Sequence, residues 1–123
     1  MFLENDIKLD FKDVLIKPKR SNLNSRSDVN LEREFTFKHS SFKWKGVPIM
    51  VSNMDCTGTF EMATAVQKHK MFTCIHKYYS VEDWLSFKTA LQLSDSLNVL
   101  DYVAVSSGSK EEDYQKLQSI LKE

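Results

Sequence analysis

Three short stretches and one basic run hold the side chains in this sequence that could do chemistry. "SNMDCTGT" (52–59) sets Asn53, Asp55 and Cys56 between an apolar run and a helical pattern, with Gly58 able to admit close backbone approach. "HKYYS" (76–80) puts His76 and Lys77 directly after a second apolar run, and an ammonium there can hold a phosphate or carboxylate. "SSGS" (106–109) offers hydroxyls and backbone donors to an anion at a helix start. "KPKRSNLNSRSDV" (17–29) gathers Lys17, Lys19, Arg20 and Arg26 among hydroxyls and amides, a set suited to phosphate. Each has a plainer alternative: a helix-start turn capped by Asp55 or Thr57, a solvated lysine beside a core-edge histidine, a serine cap at Ser109, and a solvated basic face. Cys56 as a nucleophile needs a base, and His76 on a neighbouring strand end is geometrically possible. Asp55 next to it disfavours the thiolate. There is no GxGxxG and no GxxxxGK[ST].

The elements that must position these groups are legible from periodicity. "GVPIMVS" (46–52) is a continuous β-prone run, the pattern of a strand buried on both faces. "MFTCI" (71–75) and "YVAVS" (102–106) are further short strands. Phe60, Ala63, Ala65 and Val66 follow helical spacing after the Thr57–Gly58–Thr59 punctuation, with His69 a possible last member of that face. Ser80 with Asp83 makes a capping box before the face of Trp84, Phe87, Ala90 and Leu91, and Ser109 with Glu112 repeats it before Tyr114, Leu117, Ile120 and Leu121. Residues 1–45 read instead as a polar arm with two short strands or extended segments, "FKDVLIKPKR" and "LEREFTFKHS".

Strands alternating with helices imply βαβ units, parallel pairing and right-handed crossovers. The expectation is α/β: one domain over 1–123, an amino-terminal arm (1–45) and three βα units (46–123), forming an open sheet or part of a barrel. A closed (β/α)₈ barrel takes about 250 residues, so these units amount to less than half of one, with unpaired strand edges. In α/β folds ligands sit beyond the carboxyl ends of the strands, where all three chemically interesting loops fall.

Composition narrows the function classes. Of 123 residues 41% are hydrophobic and 28% charged, an ordinary globular balance, and 17 basic side chains cancel 17 acidic ones. With no net field there is no general attraction to nucleic acid or membrane. No apolar run reaches membrane length, and the start does not read as a signal peptide. Cys56 and Cys74 form neither a metal-ligand pair nor a disulfide framework, the usage of a cytosolic protein.

Four segments in register carry a family resemblance: "DIKLDFKDVLIKPKRSNLNSRSDVNLEREFTFKHS", "VPIMVSNMDCTGTFEMA", "MFTCIHKYYSVEDW" and "VAVSSGS". Together they resemble the amino-terminal part of the GMP reductases, relatives of IMP dehydrogenase; the likeness is weakest over 88–100. It implies the first part of a TIM barrel. It further implies NADPH-dependent reductive deamination of GMP to IMP with release of ammonia, in purine nucleotide interconversion, in a cytoplasmic homotetramer. In that family a cysteine in a later "SVCTT" loop forms a thioimidate at the purine C2, and the same loop supplies a potassium site. Neither Cys56 nor Cys74 matches that cysteine, so the chain carries no catalytic residue and no metal ligand and is expected to be inactive alone. Ser25 and Arg26 match a pair that reaches the NADP of a neighbouring subunit. Lys77 matches a cofactor-contacting lysine, and Asn53, Met54 and Asp55 match the "NMD" near the nucleotide pocket. Tyr78 departs from the histidine frequent there, and "KTALQLSDSLNVLD" is a longer connection than usual. Three alternatives stand beside this reading: a non-catalytic subunit that associates with a full-length homologue, an incomplete gene model, and IMP dehydrogenase. The last family inserts regulatory domains where only a short segment separates Trp84 from Tyr102.

Overall fold

The computed structural model describes residues 6–122. An arm of 3-10 turns (Phe11–Asp13, Arg26–Asp28) and extended chain leads into an antiparallel hairpin, β1 (Arg33–Thr36) with β2 (Lys43–Gly46). Three parallel units follow: β3 (Met50–Val51), α1 (Phe60–Gln67), β4 (Phe72–Ile75), α2 (Val81–Leu93), a 3-10 segment (Leu97–Tyr102), β5 (Val103–Val105) and α3 (Glu111–Lys122). The sheet order is β3-β4-β5, with Met50 opposite Phe72 and Cys74 opposite Ala104. The α/β alternation and parallel pairing expected from the sequence are therefore present, as an open three-stranded sheet.

Particular elements differ from expectation. The run 46–52 is not one buried strand: Gly46 closes β2, the chain turns, and only Met50 and Val51 pair with β4. Pro48 has no N–H to give a ladder, Val47 N–H donates instead to Lys70 O at 2.8 Å, and β3 is an edge whose Met50 is 59% exposed. "FKDVLIKPKR" forms no strand, and Phe11, Leu15 and Ile16 are exposed. His69 lies past the end of α1, exposed. On α3, Leu117 and Ile120 are half-buried while Tyr114 and Leu121 face solvent. The box at Ser109 does not form. Lys110 N–H donates to the Asp113 carboxylate at 3.2 Å instead, one residue later in the same i, i+3 pattern.

The core lies between the sheet and its helices. Ile75 is fully buried among Phe60, Ala63, Trp84, Leu91 and Val99. Trp84 and Leu91 come from α2, whose start is capped as expected: Ser80 Oγ accepts from Asp83 N–H at 3.1 Å and Asp83 accepts from Ser80 N–H at 2.7 Å. Thr59 caps α1 by accepting from Met62 N–H.

The hairpin is fastened to the amino end of the sheet by a second, aromatic cluster. Trp44 lies edge-on to Phe72 and Tyr102 at centroid distances of 5.6 and 5.9 Å and stacks on Phe35. Gly46 lets this happen, since a Cβ there would stand 2.3 Å from Lys70 O. Lys70 itself takes the left-handed conformation, φ 55°, which a side chain adopts at a cost of about 1–2 kcal/mol. Three contacts hold it there: its N–H donates to Gln67 O, its O accepts from Val47 N–H, and its ammonium pairs with Glu32. Lys45 stands 3.7 Å from the same carboxylate.

Two predictions follow from how the hairpin is held. Trp44→Ala is expected to cost about 3–5 kcal/mol, as for large aromatic truncations in a core, read by urea unfolding. An unchanged midpoint would mean the hairpin adds nothing to stability. The second concerns pH. The Lys70 hydrogen bond, aided by the Lys70 and Lys45 charges, holds Glu32 below the usual glutamate range, and Glu32 in turn raises Lys70. The Glu32 contribution is complete above the ordinary pKa of 4.5 and is lost as pH falls through the lower folded value. That of Lys70 is complete below 10.5 and is lost as pH rises through the elevated one. Melting temperature followed against pH should drop more steeply on the acid side in the unaltered chain than in Glu32→Gln; parallel acid limbs would refute the tie.

Candidate functional site

The carboxyl ends of β3, β4 and β5 open into the three loops singled out in the sequence. After β3, Asn53, Met54 and Asp55 are all exposed. Met54 O accepts from Thr57 N–H at 3.1 Å and Gly58 N–H at 2.7 Å, and Thr57 Oγ1 donates to Ser52 O, so the loop is a tight, internally bonded turn. Gly58 is needed for packing of chain on chain: its O accepts from His76 N–H at 2.9 Å, and a Cβ would meet Cys74 O at 2.4 Å. This stitches the first loop to the second.

In the second loop His76 is 9% exposed, stacks on Tyr79 at 4.2 Å, and accepts from Tyr78 N–H through Nδ1 at 3.2 Å. Lys77 is exposed, its ammonium 5.8 Å from the Tyr78 ring centroid, and its O accepts from Lys116 Nζ at 2.8 Å. Lys77 thus shares a cleft with Ser106, Ser107, Asp113 and Lys116 at the end of β5.

The third loop is tied to the start of α3. Ser107 Oγ donates to Gly108 O and Asp113 O, and the Asp113 carboxylate already takes Lys110 N–H. With Glu111, Glu112 and Asp113 in its first turn, the start of α3 repels a second negative charge.

Ser25 and Arg26 lie apart in the arm. Ser25 Oγ accepts from Ser27 N–H at 3.2 Å and Asp28 accepts from Ser25 N–H at 3.0 Å, a capping box that leaves Arg26 on the exposed turn. Among the described residues no hydrogen bond or ion pair joins this turn to the strand ends, and neither Arg26 nor Lys77 forms an ion pair. Residue types and spacing did not reveal His76 as an acceptor or Lys116 as a partner of the second loop. The Lys116 contact spans 39 residues and leaves no local signal.

Cys56 is exposed; Cys74 is half-buried on β4, and burial pushes its thiol pKa up. Burial disfavours the thiolate at Cys74, and among the described residues no charged or basic partner is bonded to Cys56. Among the described residues no group of three or more His, Cys, Asp or Glu could hold a metal ion, and no helix is long and apolar enough to cross a membrane.

A parallel βα array whose polar and ionisable loops collect at the carboxyl ends of its strands defines an α/β protein with the layout of a ligand-binding face. No protein-family model matches the chain. Curated relatives do. It is 54% identical over 121 residues to the GMP reductase of Citrobacter koseri, a match that covers 98% of this chain and 34% of that protein. The GMP reductase of Enterobacter sp. strain 638 gives the same figures, and that of Escherichia coli K12 is 53% identical over the same span. Over the segment it spans, the chain matches the amino-terminal part of these GMP reductases. It spans about a third of the length of the curated relatives it matches.

The two thiols give a direct check on the bystander reading. A maleimide reagent at neutral pH is expected to label Cys56 well before Cys74 in the folded chain, with the two rates converging in urea. Faster labelling of Cys74 would show that the second strand is not packed as described.

Proposed function

We propose that this chain provides the amino-terminal part of an NADPH-dependent GMP reductase, a cytoplasmic oxidoreductase of purine interconversion that converts GMP to IMP with release of ammonia. The observation that carries the proposal is the 54% identity sustained over 98% of the chain to proteins named GMP reductase. On this reading the three βα units are the opening of a TIM barrel. The hairpin and its Trp44 cluster cover the amino end of that barrel, and the loops after the strands face the substrate.

The donor set fits a phosphorylated dinucleotide. Lys77 is a solvent-facing point charge at a strand end, and Arg26 is a planar guanidinium on an exposed turn. Arg26 suits the 2′-phosphate that separates NADP from NAD, with Ser25 beside it, across the boundary to a neighbouring subunit of a tetramer. Lys77 holds the cofactor from the barrel mouth. Asn53, Met54 and Asp55 border the nucleotide pocket on a turn whose backbone is already tied down. NADPH when bound supplies the hydride. The chain's own residues bind and orient; neither of its cysteines matches the family's nucleophile, and the elevated pKa of Cys74 accords with that.

The test has two arms. Fluorescence titration should find NADPH bound more tightly than NADH, with Arg26→Ala reducing that preference at least about tenfold, the order of one charged hydrogen bond. Equal affinity for the two nucleotides before and after the substitution would overturn the assignment of Arg26. The purified 123-residue chain should not oxidise NADPH on addition of GMP, and GMP-dependent turnover by it would overturn the view that its cysteines are bystanders.

A further inference from the structure

The peptide unit between Lys77 and Tyr78 is held at both of its polar atoms by side chains. Its carbonyl accepts from Lys116 Nζ, brought by α3, at 2.8 Å; its N–H donates to His76 Nδ1 at 3.2 Å. A peptide unit is planar and rigid, so fixing its two polar ends fixes the rotations on either side of it. Those rotations set the directions of the Lys77 and Tyr78 side chains.

Both holding groups are themselves restrained. His76 is buried, with its ring stacked on Tyr79, which stacks in turn on Phe60 at 3.9 Å. Lys116 is half-buried beside Asp113 and Ser107, and its charge also acts on Asp83 at the start of α2. The ammonium–carbonyl bond is charge-assisted and stronger than a neutral one. Sequestering a lysine head group on a carbonyl leaves the neighbouring Lys77 ammonium as the exposed cation of this loop.

We propose that His76 and Lys116 are positioning residues that clamp the Lys77–Tyr78 peptide, so that the Lys77 ammonium, set beside the Tyr78 ring, is preorganised for an anionic group of the dinucleotide. The clamp removes the cost of ordering this loop on binding. It rests on the reading of Lys77 as a cofactor contact.

The experiment uses the whole chain with NADPH as the probe and reads nucleotide affinity, the exchange rate of the Tyr78 amide, and melting temperature. Lys116→Met keeps the aliphatic stem without the donor, and His76→Phe keeps the stack without the acceptor. Each is expected to weaken NADPH binding about tenfold and to speed Tyr78 amide exchange, with little change in melting temperature. Lys116→Arg should restore both. Should His76→Phe not fold, the two Lys116 variants decide. Weakened binding in Lys77→Ala together with unaltered affinity in the clamp variants would overturn the clamp alone. Affinity indifferent to Lys77→Ala, or no binding of NADPH by the unaltered chain, would overturn the cofactor reading and the clamp with it.

Discussion

A run of stacked rings holds this structure together. His76, Tyr79, Phe60 and Phe87 follow one another with centroid separations of 4.2, 3.9 and 4.2 Å, and Trp84 meets Phe60 edge-on at 5.0 Å. These residues come from the first two helices and from the loop between β4 and α2. The stack therefore does two jobs. It joins the helical layer over Ile75, and it anchors the residue whose imidazole orients the next peptide. Aromatic pairs of this kind add about 0.5–1.5 kcal/mol each beyond the area they bury. The same contacts that stabilise the layer thus restrain the loop between β4 and α2.

The opposite end of the sheet is organised differently. There Trp44 reaches from the hairpin to Phe72 and Tyr102, and the Glu32, Lys45 and Lys70 charges fasten the rim. The arrangement has costs. Trp44 Nε1 and Thr73 Oγ1 are buried without a hydrogen-bond partner among the described residues, and such groups cost about 1–3 kcal/mol each. Lys70 sits in a conformation that glycine would take more readily. Aromatic burial and the ion pair offset these terms, and they do so at the end remote from the strand-end loops. The terms that fasten the hairpin thus collect at the amino end of the strands, opposite the polar loops that follow β3, β4 and β5.

The loops show how one local motif can serve opposite ends. Ser80 with Asp83 and Ser25 with Asp28 both build the reciprocal serine–acid box expected at a helix start. At Ser109 the same i, i+3 spacing is present, yet Asp113 captures Lys110 N–H and leaves Ser109 out. Gly108 leaves room for this, since a Cβ there would stand 2.1 Å from the Asp113 carboxylate.

What the sequence determined alone is the periodic part. Helical spacing at Phe60 and Ala63 and at Trp84 and Leu91, short β-branched runs near 72–75 and 103–105, and the Ser80 cap are local patterns, so local physics sufficed. The family likeness rests on several segments in order, and that too is a property of sequence. Tertiary structure decided what depends on partners far along the chain. It made Met50 and Val51 an exposed edge instead of a buried strand, because Pro48 broke the ladder and Lys70 claimed the Val47 N–H. It packed Gly58 against the Cys74 carbonyl. It also brought Lys116 to the Lys77 carbonyl across 39 residues. A hydrogen bond between side chain and backbone at that separation has no periodicity; only the packing of α3 beside the end of β4 brings its two partners together.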